Sequence, residues 1–147
     1  MDDMTIKIIE TKNYDALVDF FIRNDLEFSK EEPVSTDIII GYEAYIGEAL
    51  IGGCILARRQ DEYIIDGIAV EPEYRNTDIG SRLLDRALAK AKADGGDTLF
   101  LVARAPGFFR KHNFSTIARE DGPLFFECYT CPQFEKTCFP EVMKVKL

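Results

Sequence analysis

The densest chemistry in the chain lies in one stretch, Gly67-Ile-Ala-Val-Glu-Pro-Glu-Tyr-Arg-Asn-Thr-Asp-Ile-Gly-Ser81, which runs directly into an amphipathic helix. The apolar residues up to Val70 read as the end of a strand, and Pro72 prevents that strand from continuing. A tight loop then delivers the chain to a helix N-terminus, where unpaired N–H groups converge and favour an anion. Gly80 lets a ligand approach the backbone closely. Asp78 precedes the helix, and its type predicts an N-cap whose carboxylate accepts from the amides of Gly80 or Ser81. Arg104 directly follows an apolar strand and could receive a carboxylate. His112 is the only histidine. It falls at the end of a short helix and reads as a surface residue helped by the helix dipole. Cys128-x-x-Cys131 opens like half a zinc site, but with Cys138 and no nearby histidine these are read as reduced thiols, with no metal.

The elements that must position these residues follow from periodicity. Met4 to Glu10 carries Ile6, Ile8 and Ile9 and reads as a first strand. Asn13 can cap a helix whose apolar residues Tyr14, Leu17, Val18 and Phe21 recur at helical spacing. Asp25 to Asp37 is acidic and reads as a loop or short second helix. Ile38 to Tyr45, Ala49 to Arg59 and Glu62 to Val70 then form an antiparallel meander, with turns at Gly47 and at Gln60-Asp61. Ile79, Leu83, Leu84, Ala87, Leu88 and Ala91 make one stripe of a long helix, and Arg82, Arg86 and Lys90 share its other face. Asp94-Gly95-Gly96 supplies the αL stop. Thr98 to Ala103 is a strand buried on both sides, Pro106 starts a short helix through about His112, and Phe114 to Arg119, Leu124 to Tyr129 and Val142 to Leu147 resume as strands. A strand, a long helix and a buried strand in succession imply a βαβ crossover inside a mixed α/β sheet.

Composition narrows the class. The chain has 147 residues, enough for a single domain over 1–147. Its 18 basic and 26 acidic residues give a net charge of -8, so nucleic acid is not an expected partner. No apolar run approaches the roughly 20 residues of a membrane span, so no membrane partner is expected either. The acidic opening, MDDMTIKIIE, does not read as a signal peptide. Together with four unevenly spaced cysteines it predicts a cytoplasmic protein with reduced thiols.

The segment Val70-Glu-Pro-Glu-Tyr-Arg75, followed by Asn76, Thr77, Asp78, Ile79 and Gly80, resembles the signature of the GNAT superfamily of acyl-CoA-dependent N-acetyltransferases. That signature is Arg or Gln, two residues, Gly, one residue, then Gly or Ala. A second landmark of the family, a-x-x-f-Y-x-x-x-G-F, resembles Ala105-Pro-Gly-Phe-Phe-Arg-Lys-His-Asn-Phe114. The element order matches that fold over nearly the whole chain: a mostly antiparallel central sheet flanked by helices. The resemblance implies acetyl-CoA as cosubstrate. It places the pyrophosphate on Arg75, Asn76, Thr77, Asp78, Ile79, Gly80 and Ser81, and the pantetheine along Ile68, Ala69 and Val70. Asp66 stands near the place of the family's carboxylate base. Phe109 lies beside the coenzyme, and dimers through the last strands are common in the fold.

Two positions depart from the family pattern. Asp78 replaces the first glycine and puts a carboxylate where the cofactor's phosphates belong, so it is expected to weaken coenzyme binding. Phe109 replaces a tyrosine that acts as general acid, a contribution typically of about 10²–10⁴-fold. The resemblance implies transfer of an acetyl group to a primary amine of a small molecule, by direct attack in a ternary complex. Glu27, Glu31 and Glu32 in the acceptor loop suit a cationic amine, whereas Arg104 suits an amino acid. A lean toward N-acetylglutamate synthase-like members comes from Leu99 to Phe109 and the cysteine-bearing tail. Asp78 and Phe109 together leave open a second reading, a non-catalytic module of the same fold that binds acyl-CoA or a protein partner.

Overall fold

The computed structural model describes residues 6–23, 36–59, 61–74, 78–103, 106–117 and 141–147. In chain order these form β1 (Ile6–Thr11), α1 (Tyr14–Arg23), β2 (Thr36–Ile46), β3 (Ala49–Arg59), β4 (Glu62–Val70), α2 (Ile79–Ala93), β5 (Thr98–Ala103), α3 (Pro106–Arg110), β6 (Ser115–Ile117) and β7 (Glu141–Lys146). A 3-10 turn, Pro72–Tyr74, follows β4. The acceptor loop up to residue 35, the strand expected over Leu124 to Tyr129, and Arg75, Asn76, Thr77, Arg104, Cys128, Cys131 and Cys138 lie outside the described residues.

The seven described strands make one mixed sheet in the order β1-β2-β3-β4-β5-β7-β6. Only β4 and β5 run parallel; the other neighbours are antiparallel. This is the meander and βαβ crossover that the sequence implies, because α2 carries the chain from the end of β4 back to the start of β5.

The helices sit on opposite faces. α2 buries Ile79, Leu83, Leu84, Ala87 and Ala91 against Cys54, Leu56, Ile65, Leu99, Leu101 and Met143. Its end is a Schellman stop: Gly95 donates to Lys92, Gly96 donates to Ala91, and Gly95 has φ +93°. The Tyr63 hydroxyl donates to the Asp94 carbonyl at 3.2 Å and ties that end to β4. α1 buries Leu17, Phe20 and Phe21 against Ile55 on the other face. Asn13 caps it, its side-chain oxygen accepting from the Ala16 amide. Leu17 fills a socket between Gly41 of β2 and Gly53 of β3. A Cβ built at either glycine would stand 2.6 Å or 2.5 Å from a Leu17 methyl. None of the described helices is long and apolar enough to cross a membrane.

Candidate active site

The site begins with an irregularity in β4. Its ladder to β3 pairs Ile65 with Leu56 and Gly67 with Ile55, so Asp66 is one extra residue, a β-bulge. The bulge reverses which side chains face which layer. Before it, Ile65 packs on the α2 side and Ile64 in the small cluster with Ala57 and Phe100. After it, Ile68 and Val70 pack on the α2 side, and Ala69 joins the α1 cluster. Strict alternation would have put Ala69 with Ile65.

The other edge of β4 opens at the same place. β4 and β5 pair only at Tyr63 with Leu99 and Ile64 with Phe100. Beyond Ile64, β4 has no β5 ladder, although β5 continues to Ala103. An extended amide-bearing ligand can lie along such an edge by strand-like hydrogen bonds. Ile68, Ala69 and Val70 therefore stand on a strand segment that diverges from its parallel neighbour. Asp66, half-buried, sits at the point of divergence.

The chain leaves β4 under control. The Glu71 amide donates to the Ile51 carbonyl at 2.8 Å, and the Tyr74 amide closes the 3-10 turn onto the Glu71 carbonyl. The Glu71 carboxylate pairs with Arg23 at 3.0 Å, which joins the end of α1 to the turn that leads into α2.

At the start of α2, Asp78 occupies the N-cap position, and its carbonyl accepts from the Arg82 amide at 2.9 Å. The expected side-chain cap is absent: the Asp78 carboxylate makes no hydrogen bond to the first turn. Its backbone is at φ -89°, ψ 8°, not the extended conformation from which an N-cap side chain reaches over the following amides. The exposed carboxylate thus leaves the amides of Gly80 and Ser81 uncovered by its own oxygens. Gly80 keeps the first turn narrow, since a Cβ there would stand 3.3 Å from the Phe108 ring and 3.8 Å from Val70.

His112 is not the surface residue its sequence context predicts. It is half-buried, with Nε2 3.0 Å from the Ser81 Oγ and its ring 5.0 Å from that of Phe108. Phe109, expected beside the coenzyme, is buried in the core, edge-on to Phe108 and Phe114. Phe108, the preceding residue, presents its ring to the first turn of α2. Asn113 stands where the second landmark has glycine and takes φ +71°, which asparagine tolerates better than most residues.

Two further groups border the site. Cys54 lies opposite Ile68 in the β3–β4 ladder, fully buried, and burial pushes its thiol pKa up. It is a protonated core residue and no nucleophile. Glu43 is a buried carboxylate in register with Gly53 and, through it, Ala69. The Tyr45 hydroxyl is hydrogen-bonded to it, and Tyr45 is itself raised in pKa, first by burial and then by the Glu43 charge. Among the described residues no group of three or more His, Cys, Asp or Glu side chains is placed to hold a metal.

The site is thus a parallel strand pair that diverges beside a bulge, followed by a helix whose N-cap residue makes no side-chain cap. The GNAT acetyltransferase domain model matches residues 37–116, which run from the second residue of β2 into β6 and take in β4, α2 and α3. The chain belongs to the GNAT family. An uncharacterised N-acetyltransferase of Chlorobaculum tepidum is 31% identical over 71 residues, which are 47% of this chain and 46% of that protein. This match spans less than half the length of the curated relative. A GNAT acetyltransferase from Elizabethkingia anophelis with acetyl-CoA bound superposes with a TM-score of 0.64 at 20% identity, over 99% of this chain and 100% of that one. The N-acetylglutamate synthase of Neisseria gonorrhoeae, complexed with coenzyme A and N-acetyl-glutamate, gives 0.70 at 17% identity. That superposition covers 99% of this chain but 36% of the synthase. These likenesses establish the GNAT fold. Acetyl-CoA is the cosubstrate of the family.

Proposed function

We propose that the protein transfers an acetyl group from acetyl-CoA to a primary amine of a small molecule, by direct attack within a ternary complex. The observation that carries this is the fork at Asp66. There β4 parts from β5 with Ile68 to Val70 running toward the first turn of α2. In this reading the backbone of Ile68, Ala69 and Val70 pairs with pantetheine. The loop and helical turn from Arg75 to Ser81 hold the pyrophosphate, with the amides of Ile79, Gly80 and Ser81 in the first turn. Phe108 takes over from Phe109 as the ring nearest the coenzyme.

The amine nitrogen attacks the thioester carbonyl carbon; the C–N bond forms, the C–S bond breaks, and the sulfur leaves with the bonding pair. Asp66 takes the proton from nitrogen, directly or through water, and solvent protonates the thiolate. Direct attack is favoured over an acyl-enzyme because Cys54, the cysteine beside this strand, is buried and protonated. For the acceptor, Arg104 after β5 favours an amino-acid carboxylate, while the acidic residues Glu27, Glu31 and Glu32 favour a polyamine-like cation. The amino acid is the preferred class, in keeping with the fold shared with N-acetylglutamate synthase.

The test is calorimetric titration of acetyl-CoA at low salt, followed by thiol release with a panel of amino acids and polyamines. Micromolar binding with amine-dependent thiol release is expected. Asp66→Asn should lower kcat at least tenfold at pH 7 while leaving acetyl-CoA affinity within twofold. Binding without turnover on any amine would instead identify an acyl-CoA-binding module, and no binding would end the proposal.

A further inference from the structure

We infer that His112 is a positioning residue that turns the Ser81 hydroxyl toward the pyrophosphate of the coenzyme; this rests on the acyl-CoA reading above. Ser81 is the third residue of α2, and its Oγ is 3.0 Å from His112 Nε2. The imidazole is fixed from two sides. The His112 backbone amide donates to the Phe109 carbonyl at 2.9 Å, and the His112 ring makes a tilted contact with Phe108, which in turn touches the first turn of α2 at Gly80. The contact joins α2 to the turn after α3 across 31 residues of sequence.

A hydroxyl has one proton to give. When Nε2 carries no proton, Ser81 donates to the imidazole and offers an incoming anion only lone pairs. When Nε2 is protonated, it donates to Oγ, and the Ser81 proton is released to point at the anion. A phosphate oxygen at the first turn therefore selects the Nε2–H form, and the Nε2–H form favours the phosphate, by reciprocal linkage. The charged groups on the two elements packed against His112 are Asp78, Arg82 and Asp85 on the first two turns of α2 and Arg110 and Lys111 around α3, all exposed. Asp78 opposes an anion here. A hydroxyl donor held in place by His112 partly offsets it without adding a fixed positive charge.

The chain's single histidine makes the test direct. Imidazole 15N spectra of the native protein are recorded with and without coenzyme A at pH 7.5, and binding is measured by calorimetry. We expect coenzyme A to place the proton on Nε2. We expect Ser81→Ala to weaken coenzyme A binding about tenfold, as loss of a hydrogen bond to a charged acceptor does, and His112→Phe, which keeps the hydroxyl but removes the group that aims it, to weaken it about fivefold. The double variant should be no more than twofold weaker than either single, and His112→Gln, whose amide nitrogen stands at the Nε2 position, should restore binding to within threefold. His112→Phe keeps a ring in tilted contact with Phe108, so a purely structural role would leave coenzyme affinity unchanged. Unaltered imidazole protonation on coenzyme A binding, or a His112→Phe protein that binds as the native one does, overturns the inference and leaves the acyl-CoA reading intact. A native protein that does not bind coenzyme A overturns both. If His112→Phe fails to fold, the native spectra and Ser81→Ala decide the question.

Discussion

Replacing Asp78 with glycine should make this protein bind acetyl-CoA more tightly. The exposed Asp78 carboxylate stands at the N-cap of α2 without a hydrogen bond to the helix. Its contribution to the helix is therefore limited to a charge–dipole term of about 0.3–1 kcal/mol and the small intrinsic difference between Asp and Gly at an N-cap. The Arg82 amide keeps its partner, because that acceptor is the residue 78 backbone carbonyl. Against this small loss stands like-charge repulsion. At roughly 6 Å in a water-like dielectric, each unit of phosphate charge costs about 0.7 kcal/mol, so a doubly charged pyrophosphate costs about 1.4 kcal/mol. That is about tenfold in Kd at low salt, and most of it is screened at high salt, where the Debye length falls to a few ångströms. Calorimetric titration of acetyl-CoA into native, Asp78→Gly and Asp78→Asn proteins, at low and high ionic strength, measures this. Both variants should gain about tenfold at low salt, much less at high salt, and lose under 1 kcal/mol in urea unfolding. Unchanged or weaker binding at low salt would refute the electrostatic argument. A stability loss well above 1 kcal/mol in Asp78→Ala that Asp78→Asn does not share would show that the side chain caps the helix after all.

Gly53→Ala places a Cβ 2.5 Å from Leu17 Cδ2 and should cost about 1–3 kcal/mol in urea unfolding. Leu17→Ala alone should cost about 2–5 kcal/mol, and the double variant should fall short of the sum by about 1 kcal/mol; strict additivity would mean that Leu17 does not occupy that socket. Burial, reinforced by Glu10, pushes the Tyr42 hydroxyl up to about 12. Its folded pKa thus exceeds its unfolded one, so the stability it confers is complete below pH 10 and lost as pH rises from 10 to 12. Tyr42→Phe should remove on the order of 2 kcal/mol of that decline, and equal slopes for the two proteins would contradict it. Cys54 should react with iodoacetamide about 10³-fold or more slowly in the native protein than in urea, followed by peptide mass mapping; rapid native labelling would show that the thiol is neither buried nor protonated.

Much of the architecture is legible in periodicity. The bounds Ala49 to Arg59 and Glu62 to Val70 coincide with β3 and β4, because turn residues punctuate a strongly apolar pattern on both sides. The α2 stripe and its stop at Gly95 are equally plain, since 3.6-residue spacing and a glycine in the αL region are local properties. What escapes is set by partners distant in sequence. His112 looks like a surface residue until Ser81, 31 positions away, is brought to it. Nor does the Asp78 side chain cap, because that depends on φ and ψ and not on residue type. Phe108 and Phe109 are indistinguishable as letters; the rotation of a five-residue helix decides which enters the core.

The bulge at Asp66 is the instructive omission, since a trace of it is visible in the sequence. Ile64 and Ile65 are adjacent apolar residues, and apolar residues resume at Ile68 and Val70, so no single alternation fits the whole strand. A uniform strand would have aligned Ile65, Gly67 and Ala69 on the α2 face and placed Ile68 and Val70 against α1. One inserted residue instead lets both halves of β4 bury their large side chains under α2, and the ladder to β5 ends just before it. The change of register and the end of the β4–β5 ladder thus fall within two residues of each other, and the residue inserted is a carboxylate. An acid introduced at a regular strand position would need a polar partner or solvent on one face of a covered sheet. At this bulge it sits beside the end of the β4–β5 ladder. The position that disrupts the pattern is in this way the position where a carboxylate is tolerated, and the stability of the strand does not depend on keeping that side chain apolar.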